Sequence, residues 1–184
     1  MTQLYDIAEI RAGYPFRGAV PNMPNGLYQV VQPKDVFEGG IINDVSLYFT
    51  PERFKRNYLL KDGDVLLSSR GECKAALYKG THDALASNLL FVLSVRNKNF
   101  LPEFLVFYLN SKSGQAQMAA RKNTGTLQAI VRSGIESLDI PSLPLKRQRL
   151  LAETYFLLLR ERELSRRLTE KKTKLLELAL NTEM

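Results

Sequence analysis

The sequence predicts an α/β protein of the α+β kind. One mostly β domain with peripheral helices spans residues 1–143, and a long coiled-coil helix spans residues 144–184. Three observations predict this. Short apolar runs separated by Gly, Pro, Asn and Asp fill the N-terminal half, which is the pattern of strands joined by turns. An apolar segment that opens on Pro102 reads as a helix, since proline is tolerated in a first helical turn. The C-terminal segment repeats leucine at a 3.5-residue spacing, with charges on the other faces, as coiled coils do.

In chain order, residues 1–20 read as a short amphipathic segment (Leu4, Ile7, Ile10), then a turn-rich piece around Gly13, Pro15 and Gly18. PNMPNG at 21–26 is a loop, because its prolines, asparagines and glycine resist regular structure. LYQVV at 27–31 is a strand, QPKDVFEGG a loop with a turn, and VSLYF at 45–49 a second strand. Asp62-Gly63 makes a turn, Val65–Leu67 a buried strand, and Ser68-Ser69-Arg70-Gly71 its polar exit. AALYKG (75–80) and ALASNLLFVLSV (84–95) supply further strands, with KGTHDAL as a hairpin turn. The Pro102 helix runs through FLVFYLN; Gly114 interrupts it, and QAQMAARK continues as a second helical piece. LQAIV and LDI are short strands flanking Gly134.

The last helix carries the strongest periodic signal. Steps of four and three give Leu150, Thr154, Leu157, Glu161, Leu164, Leu168, Lys171, Leu175 and Leu178, so six of nine seam positions are leucine. A second apolar row, Leu151, Tyr155 and Leu158, exists only in the first turns. This asymmetry predicts a helix whose base packs on its own domain while its seam faces another helix. From about 146 to 180 it would span roughly 50 Å.

The net charge is +7. Residues 1–145 carry 16 Lys and Arg against 13 Asp and Glu, and residues 146–184 carry 10 against 6, so clustering matters more than the total. Between Phe104 and Ile135 there is no acidic residue, whereas Lys112, Arg121, Lys122 and Arg132 all fall inside. Arg53, Lys55, Arg56 and Lys61 form a second island. Such islands suit either a polyanion partner or a solvated basic surface.

A hydrophobic fraction of 45% is that of a globular chain, and the single cysteine, Cys73, excludes an internal disulfide framework. The first residues carry Asp6, Glu9 and Arg11 where a signal peptide needs an apolar core, and the run Leu89–Leu93 is too short to cross a bilayer. The expectation is a soluble cytoplasmic protein with no membrane partner. Catalytic chemistry is sparse. His82 is the lone histidine, so His/Cys zinc sites are excluded, and Cys73 with His82 lacks a third member or an oxyanion hole. Asp62 and Asp64 bracket a glycine, which is turn chemistry. The expectation is a non-enzyme with no metal and no cofactor of its own.

What remains is binding chemistry. Ser69 and Arg70 end a buried strand, where an arginine can reach guanine edges or clamp a phosphate. Arg121, Lys122, Asn123, Thr124, Thr126 and Gln128 crowd two cations and several hydrogen-bonding groups into one loop around Gly125. Asn and Gln can read adenine, and Thr can offer a hydroxyl or a methyl. With Arg17 and Lys74 these are the candidate DNA-binding residues. Asn88 reads as a structural hydrogen bonder within an apolar strand. The candidate helix interface is Leu150, Leu157, Leu164, Leu168, Leu175 and Leu178.

The order of these motifs resembles the specificity (S) subunit of type I restriction–modification systems, as one target-recognition domain with one conserved helical region. The resemblance rests on DIAEIRAGYPFRG, GDVLLSSRG, Ala86 and Asn88, PEFLVFYLNSKSGQ, and Gly125-Thr126 with Gln128. It continues with Ile135, Leu138, Ile140 and Pro141, and with Pro144, Leu145 and Gln148 at the helix start. Each motif is weak alone; their order and spacing are specific and span nearly the whole chain. Lys146-Arg147 stands where the family often has an acidic residue before the Gln.

The resemblance implies a half-size S subunit that homodimerises through antiparallel helices to rebuild a pseudo-twofold whole. Each domain would read one half of a bipartite double-stranded DNA site in the major groove. A modification methyltransferase subunit and a restriction motor subunit would be its partners and would use S-adenosylmethionine, ATP and Mg. The competing expectation is a coiled-coil adaptor or orphan antagonist that binds a methyltransferase or another S subunit without reading DNA.

Overall fold

The computed structural model describes residues 1–36, 40–51, 55–123 and 129–182. The chain opens with β1 (Thr2–Gln3), a single helical turn α1 (Leu4–Ile7) and β2 (Ala8–Ala12). It continues through β3 (Tyr28–Val31), a short α2 (Pro33–Val36), β4 (Ile41–Ile42), β5 (Tyr48–Phe49) and a 3-10 turn at Arg56–Tyr58. Then come β6 (Val65–Ser68), β7 (Ala75–Tyr78), β8 (Ala84–Ala86) and β9 (Leu90–Val95). Two helices, α3 (Pro102–Asn110) and α4 (Lys112–Ala120), precede a turn α5 (Arg132–Glu136), β10 (Asp139–Ile140) and the long α6 (Leu145–Thr182).

The main sheet has the order β2-β9-β6-β7-β4, and a smaller one has the order β5-β3-β8. β6 lies at its centre, antiparallel to both β7 and β9, with Val65 opposite Leu77 on one side and Leu93 on the other. Alternation along these strands feeds two cores. Val65, Leu67, Ala75, Leu77 and Leu93 face the helices, beside Phe104, Leu105, Val106 and Leu109 of α3. Leu66, Ala76, Tyr78, Leu90 and Val92 face the other way, against Val31, Ala84 and Ala86 of the smaller sheet. The central sheet is therefore covered on both sides, which is why VLL reads as a continuous apolar run rather than an alternating one. Val65, Leu66 and Leu67 are fully buried, each stabilising the fold by about 1.5–3 kcal/mol through transfer from water.

Several expectations need correction. LYQVV is a strand over Tyr28–Val31, but VSLYF shrinks to Tyr48–Phe49; α2 arises inside QPKDVFEGG, which reads as a loop, and β4 arises just after it, where the sequence marks no element. KGTHDAL is not a hairpin turn: β7 belongs to the main sheet, whereas β8 pairs in parallel with β3 in the smaller one, so the segment crosses between sheets. ALASNLLFVLSV is two strands, β8 and β9, broken at Asn88. Gly114 lies within α4; the interruption is Ser111, whose hydroxyl caps α4 by accepting the Gly114 N–H at 3.2 Å. Glycine is required there for another reason, because a Cβ would come 2.2 Å from the Tyr108 carbonyl oxygen. Gly134 sits inside the α5 turn, not between two strands. Of LQAIV, Leu127 and Gln128 lie outside the described residues, and Ala129 and Ile130 form isolated bridges only.

The base of α6 packs on the domain through Leu151, Tyr155 and Phe156, with Ala152 buried. The Tyr155 and Phe107 rings meet edge to face with centroids 5.8 Å apart. Leu158, expected in the same row, is exposed. Beyond Glu163 every side chain of α6 described is exposed. Among the described residues, no helix is long and apolar enough to cross a membrane.

Candidate nucleic-acid interface

The polar exit of β6 is the junction of four chain segments. Ser69 donates both its backbone N–H (3.1 Å) and its hydroxyl (2.9 Å) to the Leu89 carbonyl, fixing the β8–β9 turn beside it. The Ser69 carbonyl accepts the Ile130 N–H at 3.0 Å, and Arg70 forms an antiparallel bridge with Ala129. Lys122 bridges Ile130, and the Asn123 N–H reaches the Ala129 carbonyl at 3.1 Å, so that residues 122–123 and 129–130 run side by side. The Lys122 ammonium donates to the Gly71 carbonyl at 2.6 Å. Gly71 takes φ +61, a left-handed conformation that favours glycine, and the Ser68 hydroxyl closes the same bend on the Arg70 carbonyl at 2.9 Å.

The candidate residues separate clearly on this framework. Arg70 and Asn123 are exposed at the corner. Ser69 is there too, but its hydroxyl is engaged by Leu89. Lys74 is half-buried and pairs with Glu72 at 3.2 Å. Arg17 is exposed on the bend after Phe16. That bend follows the hydrogen bonds of Gly13 to Leu90 (3.0 Å) and Tyr14 to Ala86 (2.7 Å), so it leaves from the same corner. Arg121 turns inward: its Nε donates to the Ser137 hydroxyl, Nη1 to the Gln117 carbonyl and Nη2 to the Ser137 carbonyl, each at 3.1 Å. Thr124, Thr126 and Gln128 lie outside the described residues, as does Arg53 of the second basic island, whose Lys55, Arg56 and Lys61 are exposed.

Asn88 is the residue that the sequence reading placed wrongly. It occupies the exposed tip of the β8–β9 turn, next to the Leu89 carbonyl that Ser69 holds, and so joins Arg70 at the corner. The signal for this was the Ser87-Asn88 pair, turn-forming residues inside an otherwise apolar run.

Neither Cys73 nor His82 forms a catalytic pair. Burial pushes the Cys73 thiol pKa up, with Lys122 partly opposing it, whereas His82 Nδ1 sits 3.0 Å from an Asp44 carboxylate oxygen on the exposed crossing between sheets. Asp64, expected as a turn residue, is buried; it accepts the Lys61 N–H at 2.9 Å and pairs with the half-buried Arg11 guanidinium at 3.2 Å. Among the described residues, no group of three His, Cys, Asp or Glu side chains could hold a metal ion. Along α6, the six candidate seam leucines are 54% to 70% exposed, so the chain alone leaves the seam uncovered.

Comparison with known proteins agrees with this architecture. The family model for the type I restriction modification DNA specificity domain matches residues 1–171. A chain from a structural study of complex assembly and conformational transition of the type I R-M system superposes with a TM-score of 0.67 at 19% identity, over 96% of this chain and 42% of that one. The HsdS subunit from Thermoanaerobacter tengcongensis gives 0.61 at 18% identity, over 89% and 37%. The type I restriction-modification S subunit from M. genitalium gives 0.55 at 18%, over 83% and 37%. At these identities the likeness is one of fold, and the chain spans about two fifths of the length of each of them. No curated protein matches.

Proposed function

The chain belongs to the type I restriction modification DNA specificity family, and from that premise we propose that it reads one half of a bipartite double-stranded DNA site. Its domain would enter the major groove at the corner built on Ser69, and α6 would pair with a second copy to hold two such domains apart. In this reading the chain acts as a half-subunit that directs a methyltransferase subunit, and a restriction motor subunit where one is present. Methyl transfer and ATP-driven cleavage, with S-adenosylmethionine, ATP and Mg, belong to those partners.

The observation that carries the reading is the corner itself. Arg70, Asn88 and Asn123 are exposed side chains on a backbone fixed by hydrogen bonds from three other segments. A guanidinium and two amides so mounted can reach base edges with little entropic cost of ordering. The Lys122 and Arg121 arrangement shows why a count of cations is a poor guide, since both already have partners within the domain.

The test is methylation-motif sequencing of the chain assembled with its methyltransferase subunit. Arg70→Ala should relax base preference at one position, by about 1–3 kcal/mol if a bidentate contact is lost. If the Arg70, Asn88 and Asn123 alanine variants all keep the full motif at the full rate, the corner is structural and the readers lie elsewhere, with residues 14–25 and 53–61 next in line. A wild-type complex that methylates no specific motif favours the adaptor reading.

A further inference from the structure

The seam of α6 is interrupted by three polar residues, Thr154, Glu161 and Lys171. Glu161 and Lys171 are exposed, and among the described residues they take no part in the ion pairs along the helix. Those join Glu163 to Arg166 and Arg167, and Arg166 to Glu170. Two unpaired charges of opposite sign thus lie ten residues apart on the stripe that the leucines leave uncovered. A charge on a seam is costly against a leucine or a like charge and tolerable against its opposite.

That rule selects among the ways two copies could pair. In parallel alignment Glu161 meets Glu161 and Lys171 meets Lys171. In antiparallel alignment, seam positions of one kind (Thr154, Glu161, Leu168, Leu175) face those of the other kind (Leu157, Leu164, Lys171, Leu178). Centring the pair on Arg166 sets Glu161 against the partner's Lys171, twice by symmetry. It also sets Leu164 against the partner's Leu168, Leu157 against the partner's Leu175, and Thr154 against the partner's Leu178. A slip of seven residues either way puts Glu161 against Leu164 or Leu178, and Lys171 against Thr154 or Leu168. Both charges then lose their partner. At the flanks of the centred pair, Arg160 approaches the partner's Lys174 and Arg167 approaches its own copy. These stay at the solvent edge, where salt screens them, and Arg167 brings Glu163 with it.

We propose that α6 pairs with α6 of a second copy in antiparallel register, locked by reciprocal Glu161–Lys171 ion pairs in the leucine seam. The proposal rests on the homodimer reading above and adds the register to it. The register matters because one heptad of slip displaces the two domains by about 10 Å, roughly three base pairs of DNA.

Sedimentation of the full chain, with its dissociation constant measured, tests this. Glu161→Lys and Lys171→Glu should each weaken the dimer by about tenfold or more, and the double exchange Glu161→Lys/Lys171→Glu should return it near the wild-type value. Oxidation should cross-link the Glu161→Cys/Lys171→Cys variant into a covalent dimer and leave Glu161→Cys alone uncross-linked. A wild-type chain that stays monomeric at high concentration overturns the homodimer reading itself. A wild-type dimer that is indifferent to the single exchanges, or that cross-links through Glu161→Cys alone, overturns the register and leaves the dimer standing.

Discussion

Gln148 Oε1 accepts the backbone N–H of Leu101 at 2.9 Å, so a side chain in the first turn of the long helix holds the residue that opens α3. Its Nε2 donates to the Asn99 and Leu143 carbonyls at 2.7 Å each, and the residue is fully buried. The glutamine of the helix start is thus the polar bolt between domain and helix.

Gln148→Leu should destabilise the chain by about 2–4 kcal/mol, because three backbone groups lose a fully buried side-chain partner at once. Gln148→Glu should cost a similar amount, since a carboxylate cannot donate to the two carbonyls. Urea unfolding measures both; a loss below about 0.5 kcal/mol in either would mean the helix is held by its apolar contacts alone.

Arg121 and Lys122 are neighbours in sequence with different predicted phenotypes. Arg121→Ala removes two hydrogen bonds that tie the end of α4 to Ser137 after the α5 turn, and a third to the Gln117 carbonyl within α4, and should lower stability by about 1–3 kcal/mol. Lys122→Ala removes a single exposed hydrogen bond, to the Gly71 carbonyl, and should cost less stability than Arg121→Ala. Because the ammonium keeps two further protons for phosphate, the variant should also weaken binding to all DNA sequences alike, with a shallower salt dependence. Thermal melts of both variants, together with DNA titrations at two salt concentrations, separate the roles.

Burial pushes the Tyr78 hydroxyl pKa up to about 12, and the Asp44 and Asp83 charges add to the shift. The hydroxyl donates to the His82 carbonyl at 2.9 Å, a bond lost on ionisation. In the unfolded chain a tyrosine ionises near 10, so between these values the folded state holds the extra proton. Its contribution is therefore fully present below pH 10 and is lost as pH rises towards 12. Melting temperatures followed from pH 9 to 12 should fall more steeply in the wild type than in Tyr78→Phe. Parallel curves would assign alkaline unfolding to other groups.

The elements legible in the sequence are those whose pattern is local. Pro102 sets the start of α3, Asp62-Gly63 sets the turn before β6, and the leucine repeat sets α6. Elements that exist only through distant pairing left no such trace. β4 is two residues that pair in parallel with β7, and the β8 strand leaves its neighbours to join β3. The corner was partly legible: Ser69, Arg70 and Lys122 do converge, because a polar strand exit and a polar loop both carry turn chemistry. The inward turn of Arg121 was not, since a run of cations says nothing about which guanidinium finds carbonyls within the domain.

The central sheet is buried on both faces, and this constrains how such a domain can diversify. Val65, Leu66 and Leu67 of β6 already answer to one core or the other, so no face of the strand is free to drift, and a single insertion would exchange the two cores wholesale. New variation is admitted only where strands stop, at the Arg70 exit, the Asn88 tip and the Lys122–Ile130 bridge. Descendants of this chain can therefore change what they touch while inheriting the scaffold intact.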